Sequence, residues 1–153
     1  LGDVYKRQFH HLPHGVANAI LITDIMRYNI AEAPQKMGTF SQYPYPNALP
    51  RYCECARFVG MTGDTDEEVF ENFIVKIEEL KARVGIKKTI RDYGVTEEDF
   101  LATLDEMCEQ AFDDQCTGAN PRYPLISEIK AMYLKAFYGE TPAEEKDSAE
   151  KGA

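Results

Sequence analysis

The side chains best equipped for chemistry crowd into one short stretch. Phe9–Gly15 reads FHHLPHG and holds His10, His11 and His14, which are all the histidines of the 153-residue chain. A neutral imidazole offers a ring lone pair and is the commonest metal-binding side chain. Three within five positions therefore point to metal binding, although one short cluster is a weak motif and a solvated, idle cluster fits the same letters. Pro13 interrupts helical geometry ahead of His14, so His10 and His14 are not a simple i, i+4 pair. The expected arrangement is a turn fixed by Pro13 and Gly15, with His14 projecting from the start of the following helix. Gly15 would also let a ligand come close.

Two other groups could carry chemistry. Cys53 and Cys55 form CxC, whereas zinc sites favour CxxC pairs followed by a second pair. Neither Cys108 nor Cys116 completes such a pattern. Positions 53 and 55 point to different faces of a helix, so structural thiols are the expected role. The segment DDQCTGANPRYP, residues 113–124, concentrates polar groups, a glycine, two prolines and one arginine. Such a loop either carries function or forms a turn satisfied by its own Asn and Asp side chains. Phosphate loops of the GxGxxG or GxxxxGK[ST] type are absent. No Ser–His–Asp or Cys–His arrangement can be assigned by spacing.

The elements that must position these groups read as helices. HGVANAILITDIMRYN is apolar over much of its circumference, the mark of a helix buried in a larger body. Residues 31–50 contain Pro34, Gly38, Pro44, Pro46 and Pro50 and predict an irregular connector. A short helix is expected over Arg51–Val59, closed near Gly60. Thr65–Val84 is the clearest helix: Thr65 and Glu68 have capping-box spacing, and Val69, Phe70, Phe73, Ile74, Ile77 and Leu80 recur at helical intervals. Gly85 stops it. A further helix runs from Thr96 to Phe112, with Thr96 as cap and Glu97, Glu98 and Asp99 at its positive end. Its apolar face is Phe100, Leu101, Leu104, Met107, Cys108, Ala111 and Phe112. A last helix covers Leu125–Tyr138 before Gly139. No internal repeat and no convincing strand is visible, so the fold class is all-α.

Bulk properties narrow the partners. The hydrophobic share is 44% and the charged share 28%, enough for a packed core. A net charge of −9 argues against nucleic acid and against an anionic membrane surface. The apolar runs are far too short to span a bilayer. With four cysteines and a polar, charged start, free thiols in a reducing cytoplasm are expected. Residues 1–8, LGDVYKRQ, match codon by codon the in-frame translation of a transposase adapter. They are expected to be a scar, with native sequence beginning at Phe9. Residues 140–153 are acidic, Ala-rich and without apolar pattern, and predict a disordered tail.

Three stretches together carry a resemblance: FHHLPHGVANAILITDIMRYN (Phe9–Asn29), ARVGIKKTIRDYGV (Ala82–Val95) and AFDDQCTGANPRYPLISEIK (Ala111–Lys130). The first is similar to the PHGxANA segment of iron-containing alcohol dehydrogenases. The last resembles the C-terminal loop of the bifunctional aldehyde–alcohol dehydrogenases within that family. The resemblance covers nearly everything from Phe9 to Gly139. It implies the helical, metal-side C-terminal part of the dehydroquinate synthase-like fold, truncated, over residues 9–139. It also implies that an N-terminal nicotinamide-binding domain is missing from this chain. The family holds one Fe²⁺ with an aspartate and three histidines; the last histidine, before the glycine of PHG, maps to His14. Zn²⁺ could compete for such ligands. The other ligands fall outside this chain, and His10, His11 and Cys116 are implied only as possible lining of the cleft.

The implied activity is NAD-dependent, iron-dependent interconversion of a short aldehyde such as acetaldehyde with its alcohol. The metal acts as Lewis acid and the cofactor carries the hydride, in a parent enzyme of which this chain alone would be an inactive part. The parent would be a cytoplasmic homo-oligomer or filament. Two other readings stay open: a small metal-binding module built on the histidine cluster, and a non-catalytic helical interaction or filament-forming segment.

Overall fold

The computed structural model describes residues 12–31 and 48–139. The expected adapter scar at 1–8, most of the connector and the tail at 140–153 lie outside the described residues. Among the described residues there are five α-helices: α1 (His14–Asn29), α2 (Ala48–Phe58), α3 (Asp66–Arg83), α4 (Glu97–Asp113) and α5 (Ile126–Tyr138). Short 3₁₀ turns occur at Arg91–Tyr93 and Thr117–Ala119. The described residues are all-α, as the periodicities indicate. None of these helices is long and apolar enough to cross a membrane.

Local chemistry explains most boundaries. Thr65 caps α3, its hydroxyl accepting from Glu68 N–H at 3.2 Å. The expected reciprocal half of the capping box is displaced by one residue: Glu68 Oε2 accepts from Asp64 N–H at 2.7 Å, not from Thr65. Thr96 caps α4 by accepting from Asp99 N–H at 3.1 Å. At α5 the Glu128 carboxylate accepts from Leu125 N–H at 2.8 Å. Gly60, Gly85 and Gly139 follow α2, α3 and α5 with φ of +87°, +79° and +84°, the left-handed region where a Cβ is strained. Helix α2 begins at Ala48, three residues before the expected Arg51, so the connector ends earlier than residue 50. Pro50 sits in its first turn, where a missing N–H costs no intrahelical bond.

The chain divides into two compact units. One contains residues 12–21, 87–113 and 125–139. Its core joins α4 to α5: Phe100, Leu104, Met107, Cys108 and Ala111 are buried, as are Ile129, Met132, Tyr133, Ala136 and Phe137. The Phe100 and Phe137 rings stack at 4.2 Å and 10°. The segment before α4 is tied down by Ile90 N–H donating to Ala136 O at 2.9 Å. Arg91 lies over the Phe137 and Tyr138 rings and pairs with Glu97, which also accepts from the Tyr138 hydroxyl at 2.6 Å.

The other unit contains residues 22–31, 48–86 and 114–124. Its core is Met26, Cys53, Ala56, Val69, Phe70 and Ile74, with Ile30, Leu49, Tyr52, Met61, Phe73 and Ile77 packed around them. Polar ties join the second half of α1 to α3: Thr23 Oγ1 donates to Glu78 at 2.7 Å, and the Arg27 guanidinium grips both oxygens of Glu71. In both units the expected apolar stripe is wider than the buried one. Leu80 and Leu101 are half-exposed, because each stands at the edge of its helix's stripe rather than under a neighbour.

Candidate functional site

His14 is the first residue of α1, as the sequence indicates. The turn expected from Pro13 takes a specific form: the Pro13 carbonyl accepts from Val16 and Ala17 N–H at 2.9 and 3.0 Å. The Ala17 bond is the first i to i−4 bond of the helix, accepted by the N-cap carbonyl, and the Val16 bond gives one of the first-turn N–H groups a partner at the same acceptor. Among the described residues nothing lies within 4 Å of where a Cβ on Gly15 would stand. Leu12, Ala17, Ile20 and Leu21 are buried and hold the helix start by its apolar side.

The His14 ring is half-buried, with Nδ1 shielded from solvent. Asn18 Nδ2 lies 2.9 Å from Nε2. An amide nitrogen only donates, so Nε2 accepts and carries its lone pair toward Asn18. A ligand reaching Nε2 must therefore displace an exposed amide that can swing back into water. Asn18 was not singled out from the sequence, although its i, i+4 spacing from His14 puts the two on one helix face. His10 and His11 lie outside the described residues.

Among the described residues, no group of three or more His, Cys, Asp or Glu side chains could hold a metal ion. The donors among the described residues thus do not by themselves complete an iron centre; they offer His14 as a single candidate ligand. Affinity for a divalent metal depends on ligand count, and one imidazole does not supply it.

The thiols divide as expected of structural residues. Cys53 is buried on α2 and its Sγ donates to Asp66 O at 3.1 Å, while Cys55, two positions on, is exposed. Cys108 is buried in α4, and burial together with nearby Asp105 pushes its thiol up to about 11. All four are free. A thiol raised so far is a poor nucleophile at neutral pH. Cys116 is exposed at the surface of the 114–124 loop, where its N–H donates to Asp114 Oδ1 at 2.7 Å in a local turn.

The loop at 114–124 engages the end of α1. Asn29 and Asn120 exchange amide hydrogen bonds, Nδ2 to Oδ1, at 3.1 and 2.7 Å. Arg122 Nη1 donates to Tyr28 O at 3.1 Å while its guanidinium lies 3.9 Å over the Tyr28 ring. No local sequence signal marked these pairings.

Comparison with known proteins gives this geometry a setting. The C-terminal description of the "Fe-containing alcohol dehydrogenase family" matches residues 7–137. The chain is similar to the bifunctional aldehyde-alcohol dehydrogenase of Escherichia coli (strain K12), with 50% identity over 145 residues, 94% of this chain and 16% of that protein. It is 48% identical over 128 residues to the aldehyde-alcohol dehydrogenase of Clostridium acetobutylicum, covering 84% of this chain and 15% of that one. Among solved structures, 1,3-propanediol oxidoreductase superposes with a TM-score of 0.69 at 28% identity, covering 89% of this chain and 31% of its own. An iron-containing alcohol dehydrogenase from Thermococcus thioreducens gives 0.67 at 29% identity, covering 91% and 31%. The chain thus spans about one sixth of the length of the first-named curated relatives.

Proposed function

Because the chain belongs to the iron-containing alcohol dehydrogenase family, corresponding to its C-terminal helical part, we propose that it serves as the metal-side segment of an aldehyde–alcohol dehydrogenase. The reaction is hydride transfer between NAD and a short aldehyde–alcohol pair, acetaldehyde and ethanol being the reference pair. The observation that carries this reading is the 50% identity over 145 residues, 94% of this chain, with a bifunctional aldehyde-alcohol dehydrogenase.

In this reading His14 is one ligand of a divalent iron, with zinc as competitor. The remaining ligands and the nicotinamide-binding domain come from polypeptide preceding these residues in the complete enzyme. The bound ion would supply Lewis acidity at the substrate oxygen. This chain's part is to hold the His14 imidazole: Pro13 caps the helix start, apolar burial fixes its orientation, and Asn18 keeps the lone pair of Nε2 engaged until a ligand arrives. Cytoplasmic residence and homo-oligomer or filament assembly belong to the same proposal, as does a lack of activity in the isolated chain.

The test joins these residues to the upstream domains of an aldehyde–alcohol dehydrogenase and measures metal content together with acetaldehyde-dependent NADH oxidation. Stoichiometric metal and turnover are expected in the joined protein, and loss of both in its His14→Ala variant. Full metal and full rate in that variant would remove His14 from the ligand set. Metal titration of the 153-residue chain by itself separates the competing module: weak binding is expected from one ligand, whereas tight stoichiometric Fe²⁺ or Zn²⁺ binding would favour a histidine-cluster module.

A further inference from the structure

Helix α1 ends without the device that closes three of the other helices. Gly60, Gly85 and Gly139 follow α2, α3 and α5 at positive φ, whereas Asn29, the last residue of α1, is followed by Ile30 and Ala31. An α-helix leaves its last four carbonyls without intrahelical donors, and a left-handed glycine is the usual way to satisfy some of them. At α1 a donor comes from 94 residues away, where Arg122 Nη1 reaches Tyr28 O at 3.1 Å.

We propose that the 114–124 loop is a strap that decides where α1 stops, with Asn120 as its clasp and Arg122 as its second fastening. Asn29 is 5% exposed, so its amide must find partners within the protein. It finds three: Asn29 Nδ2 donates to Asn120 Oδ1 and to the Tyr52 hydroxyl, and its Oδ1 accepts from Asn120 Nδ2. Asn120 Nδ2 also donates to Arg122 O at 2.5 Å, tying clasp to fastening. Arg122 then covers the Tyr28 ring, and the Tyr28 hydroxyl donates back to Tyr123 O at 3.4 Å. Each member is polar and each is answered across the same junction, so releasing one frees the last turn of α1 rather than the core beneath it. The strap stands independently of the proposed dehydrogenase chemistry.

The test is hydrogen exchange on the 153-residue chain and on its Asn120→Ala and Arg122→Lys variants. Lysine keeps the charge of Arg122 but loses the planar fork that stacks and donates together. Backbone amides of residues 26–31 should exchange at least about tenfold faster in each variant. Those of α3, in the same unit, should keep their rates. Unchanged exchange at 26–31 overturns the strap. So does equal acceleration in α3, which would mean general loosening of the unit. If Asn120→Ala fails to fold, Arg122→Lys decides alone by the same two readings.

Discussion

Replacing Phe137 by Ala should nearly unfold the α4–α5 unit, while replacing Phe58 by Ala should do almost nothing. Phe137 is fully buried and stacks on fully buried Phe100 at 4.2 Å; it also meets Tyr138 edge-on at 5.0 Å and carries Arg91 over its face. Truncating a buried phenylalanine costs about 3–5 kcal/mol in transfer and cavity terms. Losing the aromatic pair adds about 0.5–1.5 kcal/mol. The sum, about 3.5–6.5 kcal/mol, is comparable with the roughly 5–15 kcal/mol that holds a whole domain folded. Phe58 ends α2 with 92% of its surface exposed, so its truncation should stay within about 0.5 kcal/mol. Urea unfolding followed by far-UV circular dichroism reads the difference. With a slope of about 2 kcal/mol/M, Phe137→Ala should lower the midpoint by about 2 M or abolish the transition. The milder Phe137→Leu variant should fall between. Coincident midpoints for Phe137→Ala and Phe58→Ala would refute the burial pattern on which the α4–α5 core is built.

Three further outcomes follow from other parts of the molecule. At pH 8 a thiol reagent should label exposed Cys55 and Cys116 promptly and leave buried Cys53 and Cys108 until denaturant is added; burial, which pushes Cys108 to about 11, acts in the same direction. Prompt labelling of all four would sink that assignment. The Arg27 hydrogen bond holds the Glu71 carboxyl below its ordinary 4.5. A depressed folded-state value stabilises at pH above the unfolded one, and that stability is lost as pH falls through the folded value, so acid unfolding should set in below about pH 4.5. In Glu71→Gln that part of the acid sensitivity should be missing, and an unaltered acid limb would show the pair to be idle. Finally, Thr65→Ala removes the hydroxyl that accepts from Glu68 N–H and should cost about 1 kcal/mol by chemical unfolding, no change counting against its role as cap.

The parts of the fold that were legible in the sequence are those whose causes lie within a few residues. Thr65 and Thr96 announce helix starts because a hydroxyl reaches a backbone N–H three residues on, and Gly85 and Gly139 announce helix ends because only glycine adopts positive φ without strain. Errors arose where one residue type serves two local purposes. Pro50 reads as a breaker, yet it occupies the first turn of α2, where the absent N–H is harmless. Leu80 and Leu101 satisfy the helical period but lie at the margin of the buried stripe, and periodicity cannot say how wide the covering neighbour is. Glu68 was correctly placed to reach back over the helix start, but a long side chain can choose between adjacent N–H groups, and it takes Asp64.

The candidate site divides along the same line. His14 at the head of α1 and Asn18 on the same face are local facts, open to anyone counting turns. Proposing His14 as a metal ligand needed the resemblance, because among the described residues no group of three or more His, Cys, Asp or Glu side chains could hold a metal ion. The strap is the opposite case: both halves are present, yet nothing in DDQCTGANPRYP or in MRYN signals that Asn29 and Asn120, 91 residues apart, share a pair of hydrogen bonds. Amide pairing has no period and no obligatory neighbour. What the sequence did contain was an omission, a sixteen-residue helix with no glycine after it. The 114–124 loop, which matches no phosphate or zinc motif, supplies a donor that this helix end uses.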